Sequence, residues 1–438
     1  MSALLITGLI KSTSSDAAIF LSGLMFPELE IKRRLLEFWL RMATFGVDIR
    51  NDSGISSINS FCAPDDILRA ELHRLQQQRV FPDDVFAPTP NVERRLLWPF
   101  PPYEQALPVE AHFPDRAAAA ALLSAARQRA PDTTVWISSD GSVTAEGAGA
   151  AAIITLGANQ CFFGPSCRSR GAHSSTQMET EGVRLGLDFL RCIQGRWGIT
   201  VLHLLSDSQA AILGLLSGNN TSELVVDTRR LLQTAAKWIP DIHFTWVPGH
   251  SNIAENEAAD EAATRAAAGI GHFTQRTLPH CTSLLKTRLS KHFCRRMDTC
   301  WTTLSSGQGL RDCGWRFCPS VHWTQRLSRC TCSLVAQFLV DHFPCRSFLF
   351  KKALTSLPNC RFCNMGIEDR HHIFIVCPKY DHIRVHCQEM LRNQLEEDIP
   401  WELSAVVRSS IPVLATFVRR IKFIWDNQQG GTSWGWRT

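Results

Sequence analysis

Four acidic residues in the middle of the chain lie near the ends of predicted strands or on predicted helices. Asp140 ends a strand-like run and Asp207 ends another, while Glu179 opens a helix and Asp260 lies within a later one. Acids at such positions can converge at one edge of a sheet. Mg²⁺ prefers oxygen ligands and keeps several waters, so a few carboxylates suffice to hold it. The spacing predicts a site for two divalent ions that hydrolyses a phosphodiester.

A histidine accompanies these acids in the stretch WVPGHSNIAENEAADEAA. His250 follows Pro248-Gly249 in a predicted loop, ten residues before Asp260. An imidazole in a loop beside a cation site is suited to move a proton. Each acid taken alone is more often a solvated surface residue, so the prediction depends on the whole set.

The elements that must position these side chains form an α/β pattern. Strands are predicted at TVWIS, GAGAAAIITL and QCFFGP, and then at 200–205 and 243–247, with helices at 177–192, 208–216, 222–238 and 253–268. Three strands followed by alternating helices and strands predict a mixed five-stranded sheet with flanking helices. Helices are also predicted at 28–42, 65–78 and 115–129, and a Pro-rich stretch from 81 to about 114 is predicted to be an extended linker.

Four segments, ISSDGS, QMETEGVRLGL, LLSDSQAAI and WVPGHSNIAENEAAD, resemble in order and spacing the signature segments of the type-1 ribonuclease H family. The resemblance covers roughly residues 133–269. It implies a ribonuclease H-like fold and Mg²⁺-dependent hydrolysis of the RNA strand of RNA–DNA hybrids, with Mn²⁺ as an alternative ion. The residues it assigns to catalysis and to the magnesium ions are Asp140, Glu179, Asp207 and Asp260, with His250 as a further catalytic residue. The residues it assigns to substrate binding are Ser142, Ser175, Thr176, Gln209 and Asn256.

Two neighbouring glutamates, Glu179 and Glu181, are candidates for the metal-binding acid on this helix. In the family, small residues follow the acid at the third and seventh positions, with a leucine next. From Glu179 these positions hold Gly182, Gly186 and Leu187, whereas counting from Glu181 would place charged residues under the sheet. Glu179 is therefore the predicted ligand. Ser175 and Thr176 stand where many relatives carry two asparagines, and their hydroxyls can still donate to a phosphate or a 2′-hydroxyl.

A second metal-ligand pattern lies in the last quarter of the chain. Cys360, Cys363, His372 and Cys377 follow a C-x2-C-x8-H-x4-C spacing that is typical of a zinc site. His371 is a rival ligand, but the gap to Cys377 favours His372. The flanking Arg361, Arg370 and Lys379 suit a phosphate contact, and a purely structural role for the segment is the alternative.

This CCHC spacing resembles the zinc knuckle that follows ribonuclease H in polyproteins of non-LTR retrotransposons. LMFPELEIKRRLLEFWLRM, near the start, is similar to the segment just past a reverse transcriptase core. The resemblance implies the C-terminal part of such a polyprotein. Its polymerase has then been lost or lies on another reading frame, so a reverse transcriptase encoded elsewhere is an expected partner.

The domain organisation predicted on this basis has six segments. They are a helical remnant (1–80), a Pro-rich linker with an Ala-rich helix (81–132), the ribonuclease H-like domain (133–269), a Cys/Arg-rich helical region (270–352), the knuckle (353–382) and a helical tail (383–438).

Charge and cysteine are unevenly distributed. Residues 271–438 hold 23 Lys and Arg against 12 Asp and Glu, and 12 of the 16 cysteines. A basic rear part predicts a polyanion partner. The sequence contains neither a secretory signal pattern nor an apolar run of about 20 residues, so an intracellular protein, nuclear or cytoplasmic, is expected, with no membrane partner. Clustered cysteines in a reducing compartment bind metal more often than they form disulfides.

Three alternatives accompany this interpretation. The chain could be a nucleic-acid-binding remnant without turnover, although the intact set of acids favours catalysis. A 3′-exonuclease of the same broad fold is disfavoured, because Asp140-Gly141-Ser142 offers one acid where such enzymes carry D-x-E. Cys313, Cys318 and His322, with the pair Cys330 and Cys332, could hold a second metal or simply be core residues.

Overall fold

The computed structural model describes residues 9, 13–47, 64–87, 89–96, 106–157, 160–162, 164–193, 198–251, 253–317 and 327–428. The chain divides into two compact units. Arg34–Leu289 form the first, called here the sheet unit, and Met1–Arg33 together with Ser290–Thr438 form the second, called the helical unit. The division into six segments stays a prediction.

One mixed sheet organises the sheet unit. Its strands are β1 (Glu110–His112), β2 (Thr134–Val143), β3 (Ala148–Leu156), β4 (Gln160–Phe162), β5 (Ser166–Ser169), β6 (Val201–Ser206), β7 (Asp241–Trp246) and β8 (Thr274–Gln275). The order is β1-β7-β6-β2-β3-β5-β8, and β4 pairs with β3 beside this path. β2 runs antiparallel to β3 and parallel to β6, and β6, β7 and β1 continue in parallel.

The described sheet therefore has eight strands, and the predicted count of five is wrong. The mixed character of the sheet is as predicted. The predicted strand QCFFGP corresponds to β4, and the strands without a predicted counterpart, β1, β5 and β8, are two to four residues long. Strands this short carry too few alternating residues for a periodicity to be read, and they are recognisable only from their backbone pairing.

The two faces of the sheet bury different apolar clusters. Val135 and Ile137 of β2 belong to a large core with the helices on one face, while Trp136 between them packs with Leu205 and Val247. Alternate residues of a strand point to opposite faces. Because both faces are covered, β2 reads as an almost continuously buried run.

Helices flank this sheet, and the helices between residues 27 and 268 lie close to the positions that the sequence predicts. The helices in or overlapping the sheet unit, as far as they are described, are α2 (Pro27–Thr44), α3 (Pro64–Gln77), α4 (Ala119–Arg129), α5 (Ser175–Cys192), α6 (Gln209–Leu216), α7 (Glu223–Ala235), α8 (Ala254–Ala268) and α9 (Thr282–Thr303). α4 begins four residues later than predicted, because Arg116–Ala118 form a turn. α5 and α8 both pack against β2 and β3.

Glycines let α5 approach the sheet closely. A Cβ on Gly182 would lie 2.8 Å from the carbonyl oxygen of Asp140, and a Cβ on Gly186 would lie 2.4 Å from Cγ2 of Ile137. These two glycines are the third and seventh residues after Glu179. Leu187, the next residue, is buried. The helix therefore presents its small residues to β2 and β3, as predicted.

The Pro-rich stretch is not a free linker in the part that the structure describes. Asp83–Phe86 form a 3₁₀ turn, and the following segment makes backbone hydrogen bonds to the sheet unit, from Glu93 N to His280 O and from Leu96 N to Thr221 O. The buried His280 ring accepts from Ala172 N at Nδ1 and reaches Asp84 Oδ1 at 2.7 Å from Nε2. The predicted extended linker is thus wrong for residues 83–87 and 89–96, because distant backbone partners hold this segment.

Helices form most of the helical unit. Beyond the parts of α2 and α9 in this unit, they are α1 (Ser15–Leu21), α10 (Gln308–Asp312), α11 (Arg329–Leu339), α12 (Arg346–Lys351), α13 (Asp381–Leu395), α14 (Leu403–Ser409) and α15 (Ile411–Gln428). Its core contains an aromatic cluster in which Phe374 stacks on Trp401 and meets Phe338 and Phe417 edge-on or tilted. Among the described helices, none has the length and apolarity to cross a membrane.

We expect Gly186→Ala to destabilise the chain by about 1–3 kcal/mol, because the new methyl group would overlap Ile137 in a packed core. The measurement is the free energy of unfolding from urea titration. Gly214→Ala is the matched control, since its Cβ would meet only Asn220 Nδ2 at 3.5 Å. Helix propensity alone should make that control up to about 1 kcal/mol more stable. Equal effects of the two substitutions would contradict the close packing of α5.

Candidate active site

Parallel pairing of β2 and β6 places Asp140 and Asp207 side by side. The last registered pair of these strands is Ser139 with Ser206, so both acids are the next residues along. Trp246 of β7 fixes this end of the sheet by donating its indole N–H to Asp207 O at 2.9 Å. The prediction that Asp140 ends its strand is wrong, because antiparallel pairing of β2 with β3 continues through Val143.

Glu179 reaches the same place from α5. The helix comes so close to β2 that a Cβ on Gly141 would lie 2.2 Å from Glu179 N. The competing Glu181 is buried elsewhere, where it accepts from Arg184 at 2.7 Å and from Arg276 at 2.9 Å. The geometry thus separates the two neighbours, with Glu179 among the acids and Glu181 in an ion-pair network.

Three carboxylates meet at one point. Each of Asp140, Glu179 and Asp207 has an oxygen within 4.8 Å of those of the other two. Burial, followed by the charges of neighbouring acids, raises the pKa of Glu179 to about 9 and that of Asp140 to about 7. The pKa of Asp207 is raised for the same reasons. Three ionised acids here repel one another, and a cation would remove that repulsion.

An unpartnered oxygen supports the fit of a cation. Among the described residues, no hydrogen-bond donor reaches the buried Oε2 of Glu179. A buried carboxylate oxygen without a partner is costly. Mg²⁺ is bound by carboxylate oxygens and water, so Asp140, Glu179 and Asp207 are donors of the right type.

Asp260 lies on α8, close to this cluster but not within it. Its oxygens are outside the 4.8 Å group, and its negative charge nevertheless raises the pKa of Asp140, Glu179 and Asp207. The structure therefore brings three of the four predicted acids together tightly and keeps the fourth within electrostatic reach.

His250 lies in the loop between β7 and α8. It is exposed and has a φ of 53°, in the left-handed region that few non-glycine residues adopt. When protonated, it lowers the pKa of Asp140 and Asp207, so it lies within electrostatic reach of them. A Cβ on Gly249, the residue before it, would lie 2.7 Å from Asp207 Oδ2, so a larger residue there would displace that carboxylate.

The residues predicted to bind substrate lie on β2, α5, α6 and α8. Ser175 and Thr176 are exposed in the first turn of α5, and they line a cavity of about 710 Å³ together with Arg288. Ser142 accepts from the Thr264 hydroxyl at 3.1 Å. Of the two remaining residues in this set, Gln209 is exposed at the start of α6, whereas Asn256 is buried on α8.

The cysteine–histidine set comes together in the helical unit. Ligand atoms of Cys360, Cys363, His372 and Cys377 all lie within 4.8 Å of one another. Sγ of Cys360 is 3.7 Å from Sγ of Cys377, and Sγ of Cys363 is 3.3 Å from Nε2 of His372. Tetrahedral zinc separates two sulfurs by roughly 3.8 Å, and a sulfur and a nitrogen by roughly 3.6 Å. These four residues fit zinc, while His371 is exposed.

The surroundings of this cluster are built into the helical unit. Glu368 is fully buried and accepts from the Arg361 guanidinium and from Arg346 N. Arg370 donates to the carbonyl oxygens of Gly309 and Leu339. The phosphate contact suggested for Arg361 and Arg370 is therefore wrong, because both guanidiniums are engaged internally.

The second candidate metal set gains no support from the described residues. Cys318 and His322 lie outside them, and the buried Cys313 thiol donates to Gly309 O. Cys330 is exposed and Cys332 is buried, and neither belongs to a group of ligands within the described part of the chain.

Some contributors to the site were missed in the sequence. Trp246 and Gly249 both lie in the stretch WVPGHS, and their roles depend on contacts with Asp207. Arg288 lies beyond the recognised motifs and joins the cavity through α9. In the sequence, the basic character of α9 is a signal for Arg288, but it does not indicate which residue contacts the cavity.

We expect Glu179→Gln to stabilise the chain in magnesium-free buffer at pH 8. The unfolded carboxyl ionises near 4.5, whereas the folded one keeps its proton up to a pKa of about 9. The folded state without cations therefore loses stability as the pH rises through this window, and the neutral amide avoids that loss. The measurement is the melting temperature, which should rise by a few degrees.

Glu146→Gln, at an exposed turn glutamate, is the control and should leave the melting temperature unchanged. Added Mg²⁺ should raise the melting temperature of the unmodified chain more than that of Glu179→Gln. A lower melting temperature of Glu179→Gln in magnesium-free buffer would count against a repulsive cluster.

Comparison with known structures gave low-identity matches. RNase H1 of the halophilic archaeon Halobacterium salinarum NRC-1 is 20% identical, with 30% of this chain and 96% of that chain covered and a TM-score of 0.25. The N-terminal RNase H domain of a Mycobacterium tuberculosis protein, fused to maltose binding protein, is 20% identical (31% and 94% covered, TM-score 0.26). LC11-RNase H1, isolated from compost and solved with an RNA/DNA hybrid, is 16% identical (30% and 98% covered, TM-score 0.26).

No curated protein matches the chain. The RNase H family model matches residues 132–268, which contain Asp140, Glu179, Asp207 and Asp260. This match covers under a third of the chain. Residues 132–268 are an RNase H domain.

Proposed function

We propose that the chain is a metal-dependent endonuclease that hydrolyses the RNA strand of RNA–DNA hybrids. The observation that carries the proposal is the convergence of Asp140, Glu179 and Asp207, the first two of them buried, within the RNase H domain. Buried acids with raised pKa values in a cleft are typical of functional sites. The unpartnered Oε2 of Glu179 adds a reason for a cation rather than a structural network.

The roles of the residues follow from their positions. Asp140, Glu179 and Asp207 would hold two Mg²⁺ ions, with Asp260 beside them; when bound, such ions activate a water and stabilise the leaving oxygen. His250 lies exposed next to the acids, where it can carry a proton between the reacting groups and solvent. Its loop is held by Arg116, which donates to Gly249 O at 3.3 Å.

Substrate contact is assigned to the cavity at the start of α5. Ser175 and Thr176 offer hydroxyls there, and the exposed Arg288 offers a guanidinium. Hydroxyl and guanidinium groups contact phosphate and sugar oxygens without reading sequence. Ser142, Gln209 and Asn256 complete the proposed substrate-binding set.

The helical unit is proposed to belong to a retroelement-derived protein. Its Cys360, Cys363, His372 and Cys377 fit a zinc knuckle in number, atom type and spacing. A reverse transcriptase encoded elsewhere is the proposed partner, on the resemblance of the flanking segments alone. The second candidate function, a nucleic-acid-binding remnant without turnover, would keep this unit and lose the chemistry.

We expect the purified chain to cleave a labelled RNA–DNA hybrid in Mg²⁺ and to leave the matching RNA and DNA duplexes intact. Asp140→Asn and Asp207→Asn should abolish cleavage while the circular dichroism spectrum stays unchanged, because each removes a charged ligand from the cluster. Gel analysis of the RNA strand is the measurement. Hybrid binding without cleavage by the unmodified chain would select the non-catalytic alternative.

His250→Ala should lower the turnover rate by about 10²-fold, within the range for loss of a general acid or base. The binding affinity for the hybrid should change little, because the residue acts on a proton rather than on the backbone of the substrate. His272→Ala, at an exposed histidine after the RNase H domain, is the control. A turnover rate unaffected by His250→Ala would remove the residue from the mechanism.

A zinc-selective chelator, used with Mg²⁺ kept constant, should raise amide hydrogen exchange in residues 360–377 and leave hybrid cleavage intact. Cys363→Ser should lower the zinc content, since it removes one of four ligands, whereas Cys330→Ser at an exposed cysteine should not. Equal zinc content in both variants would exclude the assigned site, and loss of cleavage on chelation would show that the two units are coupled.

A further inference from the structure

A third group of metal-binding side chains lies at the edge of the sheet, apart from the acids of the proposed active site. Glu110 and His112 are on the added strand β1, and His243 is on β7. β1 and β7 pair in parallel with Glu110 opposite His243. Because Glu110 and His112 are two residues apart, they point to the same face as their partner. The pairing register therefore brings the three side chains together.

The distances between the ligand atoms match a tetrahedral ion. Nε2 of His112 is 3.3 Å from Nδ1 of His243, which is 3.4 Å from Oε2 of Glu110, and the remaining separation is 3.8 Å. Zinc–nitrogen and zinc–oxygen bonds of about 2.0–2.1 Å place tetrahedral ligands roughly 3.3–3.4 Å apart. Two of the three separations between ligand atoms agree with these values, and the third, from Nε2 of His112 to Oε2 of Glu110, is a few tenths of an ångström longer.

Neighbouring rings orient one of these ligands. His203 of β6 stacks on His243 at 4.6 Å, and Trp136 of β2 stacks on His203 at 4.0 Å. The same residues are registered partners across β2, β6 and β7. The row of rings fixes the plane of the His243 imidazole, which is the preorganisation that a metal ligand requires.

The added strand has little else to hold it. All three residues of β1 are exposed, so burial of their side chains contributes little to its attachment. Backbone pairing with β7 remains, together with the packing of the preceding Leu107 and Val109 against the core. A short edge strand with exposed side chains is marginal by itself, and an ion shared between β1 and β7 would add to its attachment.

We infer that Glu110, His112 and His243 form a binding site for a transition metal ion, with Zn²⁺ as the physiological candidate, that clamps β1 to the sheet. Two imidazoles and one carboxylate suit Zn²⁺, whereas Mg²⁺ prefers oxygen ligands alone. Exposure of Glu110 and His112 leaves the fourth tetrahedral position to water. The inference stands independently of the proposed nuclease activity.

The competing interpretation is a hydrogen-bonded group of two histidines and a glutamate without an ion. It explains the contact between the ring nitrogens equally well, as a donor facing an acceptor. The two interpretations differ in what added zinc does. Only the metal-site interpretation predicts saturable binding of Zn²⁺ that requires both His112 and His243.

The test is calorimetric titration of Zn²⁺ into the full chain, with the cysteine–histidine cluster already loaded with zinc and the carboxylates saturated with Mg²⁺. One further equivalent of Zn²⁺ should bind, and its affinity should fall by about tenfold or more in His112→Ala and in His243→Ala, since each removes one of three protein ligands. The same zinc should raise the melting temperature of the unmodified chain only.

His73→Ala, at an exposed histidine on α3, is the matched control and should bind like the unmodified chain. Unchanged circular dichroism of each variant shows that it is folded. The inference is overturned if no further equivalent binds, or if His112→Ala and His243→Ala bind it as tightly as the control. Loss of the binding in Asp140→Asn instead would assign the ion to the carboxylate cluster and would likewise overturn it.

Discussion

Electrostatic repulsion among three clustered carboxylates is the main constraint on the arrangement of strands and helix at the centre of the sheet unit. Asp140, Glu179 and Asp207 share a space in which two of them have pKa values raised to about 7 and 9. Glycines make this proximity sterically possible, as Gly141 admits Glu179 and Gly249 admits Asp207. Paired strands and a packed helix hold together groups that would separate in solution. The cluster therefore costs stability locally, and under the proposed function a cation would find its ligands already assembled.

The acids were predictable from sequence because their positions depend on local structure. A strand that is followed directly by Asp207, or a helix with Gly182 and Gly186 on one face, can be predicted from neighbours in the chain. The mixed sheet and most helix limits follow in the same way. The sequence could also distinguish Glu179 from Glu181, because helical periodicity assigns each residue to a face.

The features that escaped prediction depend on residues far apart in the chain. Arg276 meets Glu181 across 95 positions and His280 meets Asp84 across 196, and neither pair has a local pattern. The strands β1 and β8 exist only through their partners. Positive charge was similarly misleading, because Arg361 and Arg370 bind Glu368 and carbonyl oxygens inside the helical unit. The net charge of residues 271–438 therefore overstates the positive surface available to a polyanion.

The contacts of Glu181 bear on where a fragment containing residues 132–268 can be cut from the chain. Residues 132–268 carry the family signature, yet Arg276, which neutralises Glu181, and His280, which ties down residues 83–96, both lie beyond it. A fragment trimmed to the signature would expose surfaces that the intact chain covers and would weaken the neutralisation of a buried acid. Transplanting residues 132–268 into another scaffold therefore requires borders near residues 83 and 281, because the contacts of Glu181 and His280 extend beyond the residues that the family model matches.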